Sequence, residues 1–163
     1  MMAVAQSSGH LDATSGRRKL VLGTAVLLGA IMLGNGLVML WDPWWWYTTA
    51  PGVGRTGLFN PHFVRDIGYT YALVGIAFVG GAFRLPLRLA FWAPATLWLT
   101  FHALFHFWEV AVGICGPAQL AIDFPAVTLP SLIGVGLTIW AWRGRGDTLD
   151  RFDPRASARL LVS

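Results

Sequence analysis

Three ionisable residues with helical spacing carry the strongest chemical signal in this chain: His102, His106 and Glu109. Residues four and three positions apart lie on one face of a helix, so the three side chains form one stripe. The residues between them are apolar, and ionisable side chains inside an apolar helix are costly unless they face partners or a water-filled cavity. The stripe therefore predicts a site inside a helix that crosses a membrane.

A second stripe with the same spacing comes earlier in the chain and consists of His62, Asp66 and Tyr69. We expect the helix ends nearest the two stripes to lie at the same membrane face. With a rise of about 1.5 Å per residue, Asp66 and Glu109 are then each about 8 Å below the end of their helix. A polar residue of a third stretch, Asn35, falls near the same depth. Side chains from separate helices at one level predict a pocket that opens to the outer face.

Histidines and carboxylates that converge in a helical bundle suit two kinds of chemistry. The first is metal binding, because imidazole and carboxylate bind zinc or non-haem iron, and a histidine in an apolar slot binds b-type haem. The candidate metal ligands come from two stretches: His62, Asp66, His102, His106 and Glu109. The second is acid–base catalysis without a metal, in which Glu109 and Asp66 exchange a proton with a lipid-like substrate. In either case Asn35 and Tyr69 are candidates for binding the cofactor or ligand.

The leading hypothesis from these residues is binding of a metal ion or haem in a redox or accessory role. The alternative is a metal-free lipid-site enzyme or small-molecule binder. A third interpretation is a structural or partner-binding membrane subunit, in which the polar side chains only satisfy one another. The sequence alone leaves open the metal, the substrate and whether the protein is an enzyme.

The composition indicates that membrane helices position these residues. Of the 163 residues, 55% are hydrophobic and only 12% are charged, which does not suit a soluble globule. Four apolar stretches have close to the ~20 residues that span a bilayer: residues 20–41, 61–83, 94–114 and 126–142. We therefore predict an all-α integral membrane four-helix bundle over residues 20–142, preceded by a segment 1–19 and followed by a basic tail 143–163.

The distribution of Lys and Arg predicts the orientation of the bundle. Ten of the twelve basic residues flank the predicted helices on one side, and only Arg55 and Arg65 lie on the other. Since positive flanks stay in the cytoplasm, both termini are predicted to be cytoplasmic. This bias explains the pI of about 10 without a nucleic-acid partner. Membrane lipid is the expected partner, and a homo-oligomer or a partner subunit remains an open alternative.

Local signals predict how the helices begin and how closely they pack. Asn60-Pro61 is an N-cap followed by proline at the first helical position. Gly68 and Ala72, four residues apart, allow close approach of a neighbouring helix. Arg17-Arg18 ahead of the first apolar stretch is also typical of an export signal. No small-residue cleavage site follows, so we predict a retained first helix.

The block from Asn60 to Gly68, Asn-Pro-His-Phe-Val-Arg-Asp-Ile-Gly, is followed by an aromatic and Gly/Ala-rich span. It resembles a segment of small bacterial four-helix membrane proteins of the DoxX-like kind. The resemblance covers the second and third predicted helices. It implies a protein of the bacterial plasma (inner) membrane with a loose association with redox systems, and no functional residue is carried over from it.

Overall fold

The computed structural model describes residues 2–55 and 57–144, and the side chains of residues 15–55 and 57–144. All regular structure in these ranges is helical, which confirms the all-α prediction. The helices are α1 (Met2–Trp41), α2 (Pro43–Thr49), α3 (Pro61–Phe83), α4 (Arg88–Ala111), α5 (Gln119–Asp123) and α6 (Leu129–Arg143). Short 3₁₀ turns cover Val53–Arg55 and Leu85–Leu87, and a π-helical turn covers Phe124–Thr128. The predicted basic tail, from residue 145 onward, lies outside the described residues.

Three helical stretches are long and apolar enough to cross a membrane: Ser15–Trp41, Pro61–Phe83 and Gln119–Arg143. The last combines α5, the π-helical turn and α6. Although α4 has 24 residues, it is not among the three, because its two histidines and its glutamate lower its hydropathy. The described residues thus contain the helices of a multi-pass membrane protein.

Side-chain caps and prolines fix where α2 and α3 begin. The Asp42 carboxylate accepts a hydrogen bond from the backbone N–H of Trp45 at 2.9 Å. The Asn60 side chain accepts from the N–H groups of His62 and Phe63, both at 3.1 Å. A proline follows each cap, at a position where its missing N–H breaks no helical hydrogen bond. The predicted range 61–83 coincides with α3.

The other predicted helices have different bounds in the structure. The helix predicted over residues 94–114 begins earlier, at Arg88, so Pro94 lies inside it, and neighbouring helices make such a proline tolerable in an apolar helix. It ends at Ala111, and Gly113 then turns the chain with φ of 79°. The helix predicted over residues 126–142 also begins earlier, because α5 and the π-helical turn lead into α6 without a break.

Helices α1 and α3 contact each other through glycine backbones. A Cβ atom added at Gly36 would lie 2.5 Å from the carbonyl oxygen of Gly68, and one at Gly75 would lie 2.5 Å from the backbone nitrogen of Leu33. No larger residue fits at these positions without moving a helix. Such close approach gains van der Waals contact along the whole interface, which favours helix association in lipid.

A buried arginine ties the first turn of α4 to α3 and α6. Arg88 donates from Nε to the carbonyl oxygen of Gly81 at 2.9 Å and from Nη2 to that of Ala82 at 3.2 Å. These carbonyls end α3 and would otherwise lack helical partners. The guanidinium carbon also lies 5.4 Å and 5.5 Å from the ring centroids of Trp92 and Trp140. Arg88 therefore caps the C-terminal end of α3, and its guanidinium group makes cation–π contacts with Trp92 of α4 and Trp140 of α6.

The substitution Gly75→Ala tests the glycine contact. The added methyl group would meet backbone atoms of α1, and overpacking of this kind costs about 1–3 kcal/mol. We expect a lower unfolding temperature in detergent, measured by circular dichroism. Gly34→Ala in α1 is the matched control, because nothing lies within 4 Å of its added Cβ atom and alanine favours the helix. Equal unfolding temperatures for both variants would contradict the packing.

Candidate functional site

Two histidines on successive turns of α4 form the centre of the candidate site. The ring centroids of His102 and His106 are 4.8 Å apart, with the ring planes at 80°. One turn earlier, the indole of Trp98 stacks on His102 at 5.1 Å, and the two planes differ by 7°. The two imidazoles are therefore in contact, and the indole covers one face of His102.

Helix α3 contributes a tyrosine to this centre. The hydroxyl oxygen of Tyr71 lies 3.2 Å from Nε2 of His102, and the phenol ring meets Trp98 edge-on at 5.0 Å. Tyr71 is buried, so its hydroxyl needs a partner, and His102 supplies one. Either group can be the donor, since the imidazole exists in two neutral tautomers.

His106 has two carboxylates within reach. Its Nδ1 atom lies 2.9 Å from Oδ2 of Asp123 and 3.7 Å from Oε2 of Glu109. Only the first distance is that of a hydrogen bond. The side chains of His106, Glu109 and Asp123 are 20%, 13% and 9% exposed. An ionised carboxylate only accepts hydrogen bonds, so Nδ1 of His106 is the donor to Asp123. In the neutral imidazole Nε2 then carries no proton.

Asp123 reaches His106 because of an irregular segment at the start of the last membrane stretch. Asp123 ends α5, and the π-helical turn Phe124–Thr128 follows at once. Pro125 and Pro130 lack the N–H groups that a regular ladder needs, and π-helical turns are frequent at functional sites. One turn before Asp123, Gln119 donates from Nε2 to Oδ1 of Asp123 at 2.8 Å. Both carboxylate oxygens therefore have a donor.

The structure brings together only part of the predicted set of site residues. His102, His106 and Glu109 lie together, as described above. His62 and Asp66 form their own pair, with Nε2 and Oδ2 3.2 Å apart and the side chains 87% and 59% exposed. Tyr69 is exposed as well. These three residues of α3 lie on a different face from Tyr71, so they do not join the histidine pair.

Asn35 has a different set of partners from the one predicted. Its Oδ1 atom accepts a hydrogen bond from Nε1 of Trp46 at 2.9 Å, and its Nδ2 atom donates to the sulfur of Met39 at 3.6 Å. These contacts tie the tryptophan-rich helix α2 to the C-terminal end of α1. In the structure Asn35 thus joins two helices and does not contact the histidines.

Sequence reasoning missed three members of the site: Tyr71, Trp98 and Asp123. A signal for Tyr71 was present, because Gly68 and Gly75 mark the packed face of α3, and a residue three positions after Gly68 lies beside that face. Trp98 is four residues before His102 on the same stripe of α4. Asp123 lies between the helices predicted over residues 94–114 and 126–142, two residues before Pro125, and no helical pattern ahead of the proline marks it.

Below the histidines, hydroxyl groups line the contact between α4 and α6. Oγ of Ser131 donates to Oγ1 of Thr100 at 3.2 Å, and the hydroxyls of Thr96 and Thr138 are 2.8 Å apart. Thr100 also donates to the carbonyl oxygen of Thr96 at 2.8 Å. Within the described part of the chain, every fully buried side-chain nitrogen or oxygen has a partner. These hydroxyls therefore act as interhelical contacts.

The predicted metal centre needs at least three ligand side chains directed at one point. No group of three or more His, Cys, Asp and Glu side chains that could hold a metal ion exists among the described residues. Two of the predicted ligands, His62 and Asp66, lie on another face of α3, and the Nδ1 atom of His106 is directed at Asp123. Metal binding by the predicted set of residues therefore stays a prediction.

Comparisons of the chain with protein-family models, with curated proteins and with solved structures gave no match. The resemblance of the Asn60–Gly68 block to DoxX-like proteins stays a prediction. The fold and site define the class only as a multi-pass helical membrane protein with a buried cluster of histidine, tyrosine and carboxylate side chains. Its function must be argued from that cluster.

The substitution Asp123→Ala tests whether the cluster is formed as described. It removes the acceptor of both His106 and Gln119, and a buried donor left unsatisfied costs about 1–3 kcal/mol, which is an upper bound for these partly buried groups. We expect a clear fall in unfolding temperature in detergent. Asp66→Ala is the control, because this exposed carboxylate should change stability by no more than about 0.5 kcal/mol. An unchanged unfolding temperature for Asp123→Ala would show that the pairing is not made.

Proposed function

We propose that the chain is a four-helix protein of the bacterial inner membrane with a metal-free acid–base site in its outer half. In this arrangement α4 is the fourth span, and its 24 residues exceed the roughly 20 that a bilayer requires. Large apolar side chains point outward from it, among them Phe101, Leu104 and Phe105. Contact with lipid would cover these side chains, which supports a membrane position for α4.

Charge segregation supports cytoplasmic termini. The start of the apolar stretch Ser15–Trp41 of α1, the turn between α3 and α4 and the end of α6 form one end of the bundle. The basic residues at this end are Arg17, Arg18, Lys19, Arg84, Arg88 and Arg143. Among residues with described side chains, the carboxylates belong to the opposite half: Asp42, Asp66, Glu109 and Asp123. Positive flanks favour the cytoplasmic side, so the histidine cluster is assigned to the outer half.

Labelling of Cys115 tests this orientation. Cys115 is the only cysteine, is partly exposed and lies between α4 and α5, at the proposed outer face. We expect a membrane-impermeant maleimide to label it in intact spheroplasts. In the control variant Cys115→Ser with Ser163→Cys, labelling should occur only after the membrane is permeabilised. The reverse pattern would place the site on the cytoplasmic side.

The main support for the proposed activity is the hydrogen bond between His106 and Asp123. The hydrogen-bonded pair of Tyr71 and His102 lies beside it. The His106–Asp123 distance is 2.9 Å, the Tyr71–His102 distance is 3.2 Å, and the two imidazoles touch. A carboxylate that accepts from one nitrogen of an imidazole fixes its tautomer and stabilises the imidazolium that forms when the other nitrogen takes a proton. This is the arrangement of a general base.

In the proposed reaction, Nε2 of His106 removes a proton from a bound molecule, and the same nitrogen returns a proton to it at another position or after exchange with water. Asp123 and Glu109 offset the positive charge on the ring in the intermediate state. The Tyr71–His102 pair donates a hydrogen bond to an oxygen of the substrate. Protons balance in this scheme, and neither an oxidant nor a reductant is needed.

The position of the site favours a lipid-soluble substrate. His106 and Glu109 retain more exposure than Asp123, so a ligand reaches this end of the cluster first. Next to them, Phe105 and Trp108 stack at 5.6 Å and are themselves exposed. A molecule that carries a carbonyl or hydroxyl group and an apolar body matches an aromatic wall beside polar side chains.

Mass spectrometry of organic extracts tests ligand binding. We expect a small molecule to co-purify with the wild-type protein in detergent and to be lost from His106→Gln. His62→Gln is the matched control, because this histidine is exposed and pairs only with Asp66. Incubation of the recovered molecule with wild-type protein in D₂O should introduce deuterium at carbon, at a rate at least about tenfold above that of the variant, as is typical for loss of a general base.

The competing structural interpretation predicts a different result. If the cluster only joins helices, the extracts of the wild type and both variants will be the same, and only unfolding temperatures will differ. Identical extracts from folded proteins would therefore contradict the proposed function.

A further inference from the structure

The outer loop that precedes α3 contacts the side chain of Gln119. Gly52 lies against the amide, and a Cβ atom added there would collide with Nε2 of Gln119. Nη2 of Arg55 lies 3.5 Å from Oε1 of the same amide, a long and weak hydrogen bond. These loop residues are more than sixty positions away in sequence, and the loop thus holds both ends of one amide group.

The Arg55 contact favours one of the two orientations of the amide. Arg55 has only donors, so it favours the orientation in which the oxygen of Gln119 faces it. The nitrogen of Gln119 then faces Oδ1 of Asp123, to which it donates at 2.8 Å. Gly52, with φ of 84°, is in the left-handed region that suits glycine, and its missing side chain leaves room for the amide nitrogen. The loop therefore favours a donor contact on Asp123.

Gln119 in turn affects His106 through Asp123. With Oδ1 occupied by a donor, Asp123 is held as an acceptor whose other oxygen, Oδ2, faces Nδ1 of His106 at 2.9 Å. Without that donor, the Asp123 carboxylate can rotate away from His106, and this change weakens the preference for a proton on Nδ1 of His106.

We propose that the Gly52–Arg55 loop is a positioning element that sets the tautomer of His106 through Gln119 and Asp123. The proposal deepens the acid–base function above and rests on it for its biological meaning, because Nε2 of His106 accepts a proton only when Nδ1 carries one. Gln119, Gly52 and Arg55 are positioning residues in this scheme and do not touch the substrate.

Other groups around His106 do not provide the same control. On its own helix it faces Glu109, whose Oε2 is 3.7 Å from Nδ1, and His102, which is in ring contact with it. From α3, Tyr71 bonds His102 and acts on His106 only through it. Among the described groups near His106, Gln119 donates a hydrogen bond to Asp123 and also contacts the loop. The loop therefore affects His106 through Gln119.

Nitrogen-15 NMR of histidine-labelled protein in detergent measures the tautomer directly, because protonated and free ring nitrogens have different chemical shifts. His106 is assigned by the loss of its signals in His106→Gln. In the wild type we expect the Nδ1–H tautomer. In Gln119→Ala and in Gly52→Ala we expect the ratio of Nδ1–H to Nε2–H to fall by about three- to tenfold, the range for loss of one hydrogen bond.

A double-mutant cycle separates control through Gln119 from simple strain in the loop. If Gly52→Ala acts by displacing the amide, it will have no further effect on the tautomer in the Gln119→Ala background. If it acts by strain at positive φ, its effect will persist there. Gly54→Ala is the loop control, since its added Cβ would meet only an ordinary contact at 3.9 Å, and it should leave the His106 signals unchanged.

The outcomes distinguish this proposal from the function on which it rests. A His106 tautomer that is unchanged in Gln119→Ala, or effects of the two variants that add in the double variant, would overturn the role of the loop. Such a result would leave ligand binding and deuterium exchange by the wild type untouched. A tautomer shift without any ligand in the extracts would support the positioning role and contradict the proposed function.

Discussion

The backbone contact between α1 and α3 is the constraint on which the rest of the bundle depends. Gly36, Gly68 and Gly75 let the two helices approach so closely that α3 cannot rotate about its axis without a collision. That fixed rotation places Tyr71 toward α4, where it bonds His102, and leaves the stripe of Asp66 exposed. Because lipid offers no hydrophobic driving force between helices, such close packing must provide much of the specificity.

The sequence predicted the elements of this fold wherever a local signal marks an end. Asn60-Pro61 predicts the start of α3, and the cap hydrogen bonds of Asn60 explain why. Where the signal was a proline inside an apolar stretch, the prediction was poorer. Pro94 lies within α4, and Pro125 lies in a π-helical turn, because neighbouring helices compensate for hydrogen bonds that a proline removes. Such compensation depends on tertiary contacts, which a local pattern does not contain.

The spacing of residues along one helix predicted part of the candidate site, but it did not predict how the helices are rotated against one another. Spacing alone grouped His102, His106 and Glu109, since one helix determines their relative positions. The common level of Asp66 and Glu109 stays a prediction from helix rise, and a level alone does not say which face of α3 meets α4. The small residues Gly68 and Ala72 mark the face of α3 that contacts α1, and Tyr71 lies beside that face, where it bonds His102 of α4. Asp123 could be predicted as a partner of His106 only from the path of the chain after α4, and no spacing rule predicts that path.

The acceptor at the centre of the site lies on the least regular helical segment of the bundle. Helix α5 has five residues, has no side-chain cap, and runs directly into a π-helical turn, and a helix this short has little stability of its own. Its position must therefore come from contacts made by its side chains, above all those of Asp123 with His106 and of Gln119 with the Gly52–Arg55 loop. The same hydrogen bonds that orient the imidazole hold the segment in place. The His106–Asp123 pairing and the local folding of this segment are thus coupled, so a loss of that hydrogen bond and a loosening of α5 should accompany each other.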